Sequence, residues 1–178
     1  MHIEPTALLG AWIVSPTVYT DHRGTFKETY RDHWFSEMGI DFTVCQSNQS
    51  TSKKGVIRGL HFQHPPHAQA KLIRVIKGRI WDVGVDIDPH SPTFRQWMGV
   101  ELTDEHPRSL WLAPQMAHGF IVLSDYAIVS YDCSMPYHPE AEGGIRWDDP
   151  TLAIPWPEVG PILVSDKDRA LPFLNPSL

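Results

Sequence analysis

The 178-residue sequence predicts an all-β protein closed into a sandwich or barrel. Short runs with a period of two recur along the chain, and Gly, Pro and Asp punctuate them at close spacing. Only one stretch carries helix signals. About ten strands at such spacing suit a closed or double-layered sheet.

In chain order, strands are expected over 11–19, 26–30, 42–50, 56–63, 71–76, 80–87, 97–102, 109–112, 118–123 and 127–134. The 80–87 run is the clearest. Trp81, Val83, Val85 and Ile87 share one side, and Asp82, Gly84 and Asp86 share the other with Ile80, the pattern of a half-buried strand. Residues 71–76 are expected to be its hairpin partner, with Lys77-Gly78 at the turn. The one helix expected has Asp32 as N-cap, His33 to Met38 as body and Gly39 as stop. Beyond Asp149 the chain carries Pro150, Pro155, Pro157, Pro161, Pro172 and Pro176. That segment is expected to wrap, extended, over a single domain spanning residues 1–178.

Hydrophobic residues make up 42%, enough for a sizeable core. A net charge of -6 argues against a nucleic-acid surface, although a small anionic ligand needs only two or three Arg or Lys side chains. The start of the chain has neither a basic region nor an apolar run, and no stretch approaches the ~18 apolar residues of a membrane span. These features predict a cytoplasmic protein without a membrane partner. Cys45 and Cys133 are expected to be buried, reduced thiols.

Residues 55–78 carry the chemistry. Gly55 is followed by five residues and His61; Gln63 comes two residues later, and Lys71 stands six residues short of Gly78. This spacing resembles the metal-binding strand pair of a cupin barrel, with Gln63 and Lys71 where metal ligands usually stand. It sharpens the fold expectation to a cupin-like jelly roll with one or two short helices and an extended C-terminal segment. An ammonium offers a metal no lone pair, so a metal-free site is expected. His61 and Lys71 suit proton abstraction beside a carbonyl.

A lone strand histidine is more often structural than catalytic, but Arg58, Gln63 and Lys71 crowd polar groups into an expected interior, where unpaired ones are costly. Asp166 and Asp168 offer a carboxylate to orient the His61 ring. His64 and His67 flank Pro65-Pro66 and read as a surface turn; a metal dioxygenase built on His61, His64 or His67, and His118 is the rival from another enzyme class. His118 occupies the position from which a second cupin motif draws a ligand. Tyr131 and Tyr137 share strand parity and are either packing residues or, in a polar pocket, proton donors. Phe26 and Glu28 share a face near Arg23, and Gln46 and Asn48 share another. Arg58 and His61 have opposite parity, so either Gly59 marks a bulge or the arginine reaches the pocket around a barrel edge.

Taken together, Asp21 to Glu28, Gln46-Ser47-Asn48, Gly55 to Gln63, Ala70-Lys71-Leu72, Pro114 to Phe120, Tyr131 to Tyr137, Ile145-Arg146-Trp147 and Ser165 to Asp168 resemble the dTDP-4-dehydrorhamnose 3,5-epimerase family. The resemblance implies a metal-independent, cofactor-free homodimer with strand exchange between subunits. Its implied substrate is a dTDP-4-keto-6-deoxyhexose, epimerised at C3 and C5, or at one of them in relatives. It further implies His61 as general base, Asp168 as the carboxylate orienting it, Tyr131 as acid on the opposite face of the sugar, and Lys71 at the enolate oxygen. Arg23, Arg58 and His118 correspond to phosphate and sugar contacts. Phe26, Glu28, Gln46, Asn48 and Tyr137 correspond to nucleotide contacts.

Overall fold

The computed structural model describes residues 1–37 and 39–174. Its strands are β1 (His2–Pro5), β2 (Ala11–Ser15), β3 (Val18–Asp21), β4 (Gly24–Lys27), β5 (Gln46–Lys53), β6 (Ile57–Gln63), β7 (Lys71–Lys77), β8 (Arg79–Asp86), β9 (Trp97–Thr103), β10 (Ser109–Leu112), β11 (Met116–Val122), β12 (Tyr126–Cys133) and β13 (Glu142–Gly144). Two short α-helices, α1 (Asp32–Ser36) and α2 (Asp166–Arg169), and a 3₁₀ turn at Pro139–Ala141 complete the described elements. One sheet has the order β1-β2-β10-β7-β12-β5, the other β13-β6-β11-β8-β9, and β3 and β4 form a separate hairpin. All the strand pairings are antiparallel. The two main sheets enclose the core, giving the cupin-like jelly roll.

Strand parity explains what goes inside. Ile73 and Val75 of β7, Leu110 of β10 and Val129 of β12 meet Ile80 of β8, Leu102 of β9 and Phe120 of β11 between the sheets. The alternate residues form two further layers. Leu60, Val83, Val85 and Ala117 lie on the outer side of the five-stranded sheet, beneath Leu152, Ile154 and Leu174 of the C-terminal segment. Leu72, Val14 and Trp111 lie on the outer side of the other sheet, beneath Phe35 of α1 and Phe42, whose rings meet edge to face at 4.9 Å. Each sheet is therefore covered on both sides.

Several expectations change. β7 and β8 do not form a hairpin, because they belong to different sheets. Gly78, at φ +85°, turns the corner between sheets, and a Cβ there would sit 2.2 Å from the Tyr126 carbonyl oxygen. The Lys-Gly turn signal serves a sheet-to-sheet corner as well as a tight hairpin. Nor is β8 half-buried: Ile80 to Asp86 are covered on both faces except for the partly exposed Trp81, since the C-terminal segment covers the outer one. Residues 11–19 break into β2 and β3 around Pro16, which cannot donate to a ladder. β4 ends at Lys27, so Glu28 lies beyond the strand, and β5 starts only at Gln46 but runs to Lys53. Arg31, not Asp32, occupies the N-cap of α1 and makes no side-chain cap; the expected Met38 end of that helix lies outside the described residues. Both cysteines are free thiols, but Cys45 is exposed, outside any strand, and only Cys133 is buried.

Candidate active site

The parity that builds the core also places polar side chains at one end of it. Lys71 shares the inward parity of Ile73 and Val75, and Tyr131 and Cys133 that of Val129. Asp82 follows Ile80, and His118 precedes Phe120. Around these side chains lies a cavity of about 290 Å³, lined by Arg58, His61, Lys71, His118 and Tyr131 together with Asn48 and Ser50 of β5. His61, Arg58 and His118 come from one sheet, and Lys71, Tyr131 and Asn48 from the other.

The register of β6 shows how Arg58 and His61 share this cavity. His61 pairs with His118, but Arg58 pairs with Phe120, so three steps along β6 match two along β11. The extra residue is a bulge at Gly59-Leu60 that changes the parity of the strand. Gly59 has φ +125°, and its Cα side lies against β11: a Cβ would come within 2.5 Å of the Gly119 Cα and 2.7 Å of the His118 carbonyl oxygen. Leu60, the next residue, is turned to the outer layer.

His61 Nε2 lies 2.8 Å from Asp168 Oδ1. Asp168 sits on α2, which Ser165 caps by accepting the Asp168 backbone N–H at 3.1 Å. The second carboxylate oxygen accepts the Gly59 N–H at 3.2 Å. Burial by itself would raise the pKa of Asp168, but the hydrogen bond from His61, its charge and the Gly59 N–H together outweigh it and hold the carboxyl below the usual range. An ionised Asp168 fixes the proton of His61 on Nε2, and the lone pair is then on Nδ1.

Lys71 donates to the His61 carbonyl oxygen at 3.2 Å. Desolvation pushes its pKa down, partly opposed by Cys133, Asp82 and Glu142. The Tyr131 hydroxyl lies 2.7 Å from Ser50 Oγ, and burial pushes its pKa well up, so the phenol keeps its proton at neutral pH. Arg58 Nε donates to Ser52 Oγ at 2.9 Å. His118 Nε2 lies 2.7 Å from Asp82 Oδ1, and burial raises the pKa of Asp82 despite the pull of His118 and Lys71. The site thus offers an oriented imidazole, a cation and a protonated phenol around one small space.

Other candidates stand at the rim or beyond it. Gln46 donates to Asn48 Oδ1 at 2.9 Å and accepts the Tyr137 N–H at 2.8 Å, while the exposed Tyr137 donates its hydroxyl to Glu142 at 2.8 Å. Arg23, Phe26 and Glu28 do not line the cavity. Arg23 pairs with Asp21 at 2.6 Å and Glu28 with Arg31 at 2.5 Å, and Phe26 is 68% exposed on the β3–β4 hairpin. Three residues that the sequence reading passed over hold the site's side chains: Asp82 holds His118 and Ser52 holds Arg58 from behind, and Ser50, itself in the lining, holds Tyr131. Their signal was present. Ser50 and Ser52 share the parity of Asn48, and Asp82 that of Ile80, but a serine or aspartate in alternation reads as a solvent face until both faces are known to be covered.

The family model for dTDP-4-dehydrorhamnose 3,5-epimerase matches residues 5–176. The dTDP-4-dehydrorhamnose 3,5-epimerase of Methanothermobacter thermautotrophicus is 48% identical over 166 residues, covering 92% of this chain and 89% of its own length. That of Salmonella typhimurium is 44% identical over 179 residues, covering 100% of this chain and 98% of its own. A crystal structure of dTDP-6-deoxy-D-glucose-3,5-epimerase from Legionella pneumophila Philadelphia 1, in complex with dTDP-4-keto-L-rhamnose, superposes with a TM-score of 0.93 at 43% identity. It covers 97% of this chain and 92% of that one. With the fold, the match along nearly the whole chain and these identities in agreement, the chain belongs to the dTDP-4-dehydrorhamnose 3,5-epimerase family.

Proposed function

We propose that the chain epimerises dTDP-4-dehydro-6-deoxy-D-glucose at C3 and C5, giving dTDP-4-dehydro-L-rhamnose. The observation that carries the mechanism is the pairing of a carboxylate-held His61 on one sheet with Tyr131 on the facing sheet, both lining one cavity with Lys71. Protons on C3 and C5 are acidified by the C4 ketone between them. His61 Nδ1 takes one of these protons, and the electron pair of the C–H bond moves onto the ketone oxygen as an enolate. The Lys71 ammonium faces that developing charge and lowers the barrier. Tyr131, still protonated, returns a proton to the same carbon from the other side, which inverts the centre. The phenolate then recovers its proton from solvent and the imidazolium releases its own, so each cycle consumes no redox equivalent and needs no cofactor.

The nucleotide end of this reading rests on Asn48, Gln46 and Tyr137 at the rim and on Arg58 and His118 in the cavity. Arg23 and Phe26 fit the reading through a homodimer: the projecting hairpin, with Tyr19 63% exposed beside Phe26, extends into the partner and completes the partner's site. Mixing Arg23→Ala with His61→Ala subunits tests this, because a mixed dimer then has one intact site and regains activity. A cytoplasmic location accords with two free thiols and with the lack, among the described residues, of any helix long and apolar enough to cross a membrane. Proton NMR of the substrate with the protein in heavy water is the direct test. Exchange and inversion are expected at both C3 and C5. Inversion at one centre alone would assign a single-centre epimerase.

A further inference from the structure

Outside the cavity, three side chains able to ligate a metal stand where two turns meet. His67 follows β6 and Pro65-Pro66; His138 and Glu140 precede β13. One donor atom from each of the three lies within 4.8 Å of the others. His138 Nδ1 and Glu140 Oε1 are 2.9 Å apart. The His67 and His138 rings stack with centroids 3.8 Å apart and 29° between planes. His67 Nδ1 is buried without a hydrogen-bond partner. None of the three residues lines the cavity of His61 and Lys71.

The backbone under this group is braced. Gln63 donates its amide to the His67 carbonyl oxygen at 2.7 Å and to the Pro136 carbonyl oxygen at 3.2 Å, and its own oxygen accepts the His138 N–H at 2.7 Å. One buried side chain thus ties both turns together. His67 N–H also closes its turn on the His64 carbonyl oxygen at 3.0 Å.

The geometry points to a divalent metal site of the zinc class formed by His67, His138 and Glu140, separate from the proposed epimerase chemistry. In tetrahedral zinc sites, bond lengths of about 2.0–2.1 Å place donors about 3.3 Å apart. The widest separation therefore has to close by about 1.5 Å, the His138–Glu140 pair has to open slightly, and the stacked rings have to turn so that their lone pairs converge, movements that side-chain rotation supplies while Gln63 holds the backbones. Two nitrogens and one carboxylate select Zn²⁺, Co²⁺ or Ni²⁺ over Mg²⁺ and Ca²⁺, which take oxygen shells. A water would complete the fourth position. The bound ion would link the 64–67 turn to the segment carrying Tyr137, and so stiffen the rim.

The test is Zn²⁺ titration by calorimetry on the untagged, chelator-stripped full chain, with thermal unfolding followed in parallel. The expected result is one strong site per chain, no comparable binding of Mg²⁺, and a midpoint several degrees higher with Zn²⁺. His67→Phe, with His138→Gln, should weaken binding at least tenfold and abolish the thermal shift. Glu140→Gln, an exposed change that leaves the Gln63 brace alone, should weaken binding without altering the metal-free midpoint. It keeps the test open if the histidine variants fold poorly. Co²⁺ should give the intense visible absorption of four-coordination. Stoichiometric Zn²⁺ binding that survives all these substitutions, or no strong binding by the parent chain, overturns the assignment.

Discussion

His61 on β6 and Tyr131 on β12 belong to different sheets, yet both line the same cavity. A ring bound between the sheets therefore meets an imidazole on one side and a phenol on the other. Tyr131→Phe removes one oxygen and little volume, so packing should hardly change. His61 would still take a proton and return it to the same side. The variant should then exchange deuterium into substrate faster than it inverts it, as read by NMR in heavy water. A fall of both by one common factor, in a folded variant, would mean that Tyr131 serves the first step or binding.

For the proposed base, His61→Asn should cost about 10²–10⁴ in turnover, while binding of dTDP survives. Asp168→Asn acts through the same ring. The double variant should accordingly lose less than the product of the two single losses, measured as kcat/KM. Fully multiplicative losses would place Asp168 in some other role.

Lys71 gives a pH limb. Burial lowers its pKa below the ordinary lysine value of about 10.4. The ammonium that the proposed mechanism places at the enolate oxygen is present below that lowered value and lost above it, so turnover should fall on the alkaline side earlier than a solvent-exposed lysine would dictate. In Lys71→Arg, whose charge persists, any remaining activity should not show that limb. A limb unchanged in the arginine variant would belong to another group.

Asp168 supplies the acid-side counterpart. Its folded pKa lies below its unfolded one, so the folded state binds fewer protons. The stabilisation is fully present above the unfolded value of about 3.9 and disappears as pH falls through the lowered folded value. Urea unfolding of the parent chain and of Asp168→Asn should differ most near neutrality, and the two curves should converge below about pH 4. A gap independent of pH would show that the loss is one of packing.

At the bulge, Gly59→Ala forces a Cβ to within 2.5 Å of backbone on β11 at a φ that side chains rarely adopt. Overpacking and backbone strain each cost about 1–3 kcal/mol. A drop in unfolding free energy of that order is expected. Activity should fall by more than stability does, because Arg58 and His61 lose their common face. A fully active, equally stable variant would mean that the bulge tolerates a side chain.

The chemistry of single residues was legible in the sequence; their spatial partners were less so. The alternation that gives Lys71 the inward parity of Ile73 and Val75, and Tyr131 that of Val129, is present in the sequence, but which face is inward becomes plain only in the fold. The sheet to which each strand belongs was not legible, because Lys77-Gly78 reads alike as a hairpin turn and as the corner between two sheets. Asp82 was missed for a related reason. Its alternation with Trp81 and Val83 looks like a wet face, and only the C-terminal segment, packed on the other side, turns both faces inward. Arg58 and His61 were ambiguous until the register with β11 counted the extra residue.

The carboxylate that holds His61 is delivered from 107 residues further along the chain, by a one-turn helix that follows every strand of both sheets. The timing of synthesis then matters. A polypeptide halted before residue 166 would contain every strand of both sheets, and the cavity with them, but its imidazole would lack a tether. On the proposed mechanism, competence waits for residues 166–169, which are translated after every strand of the barrel.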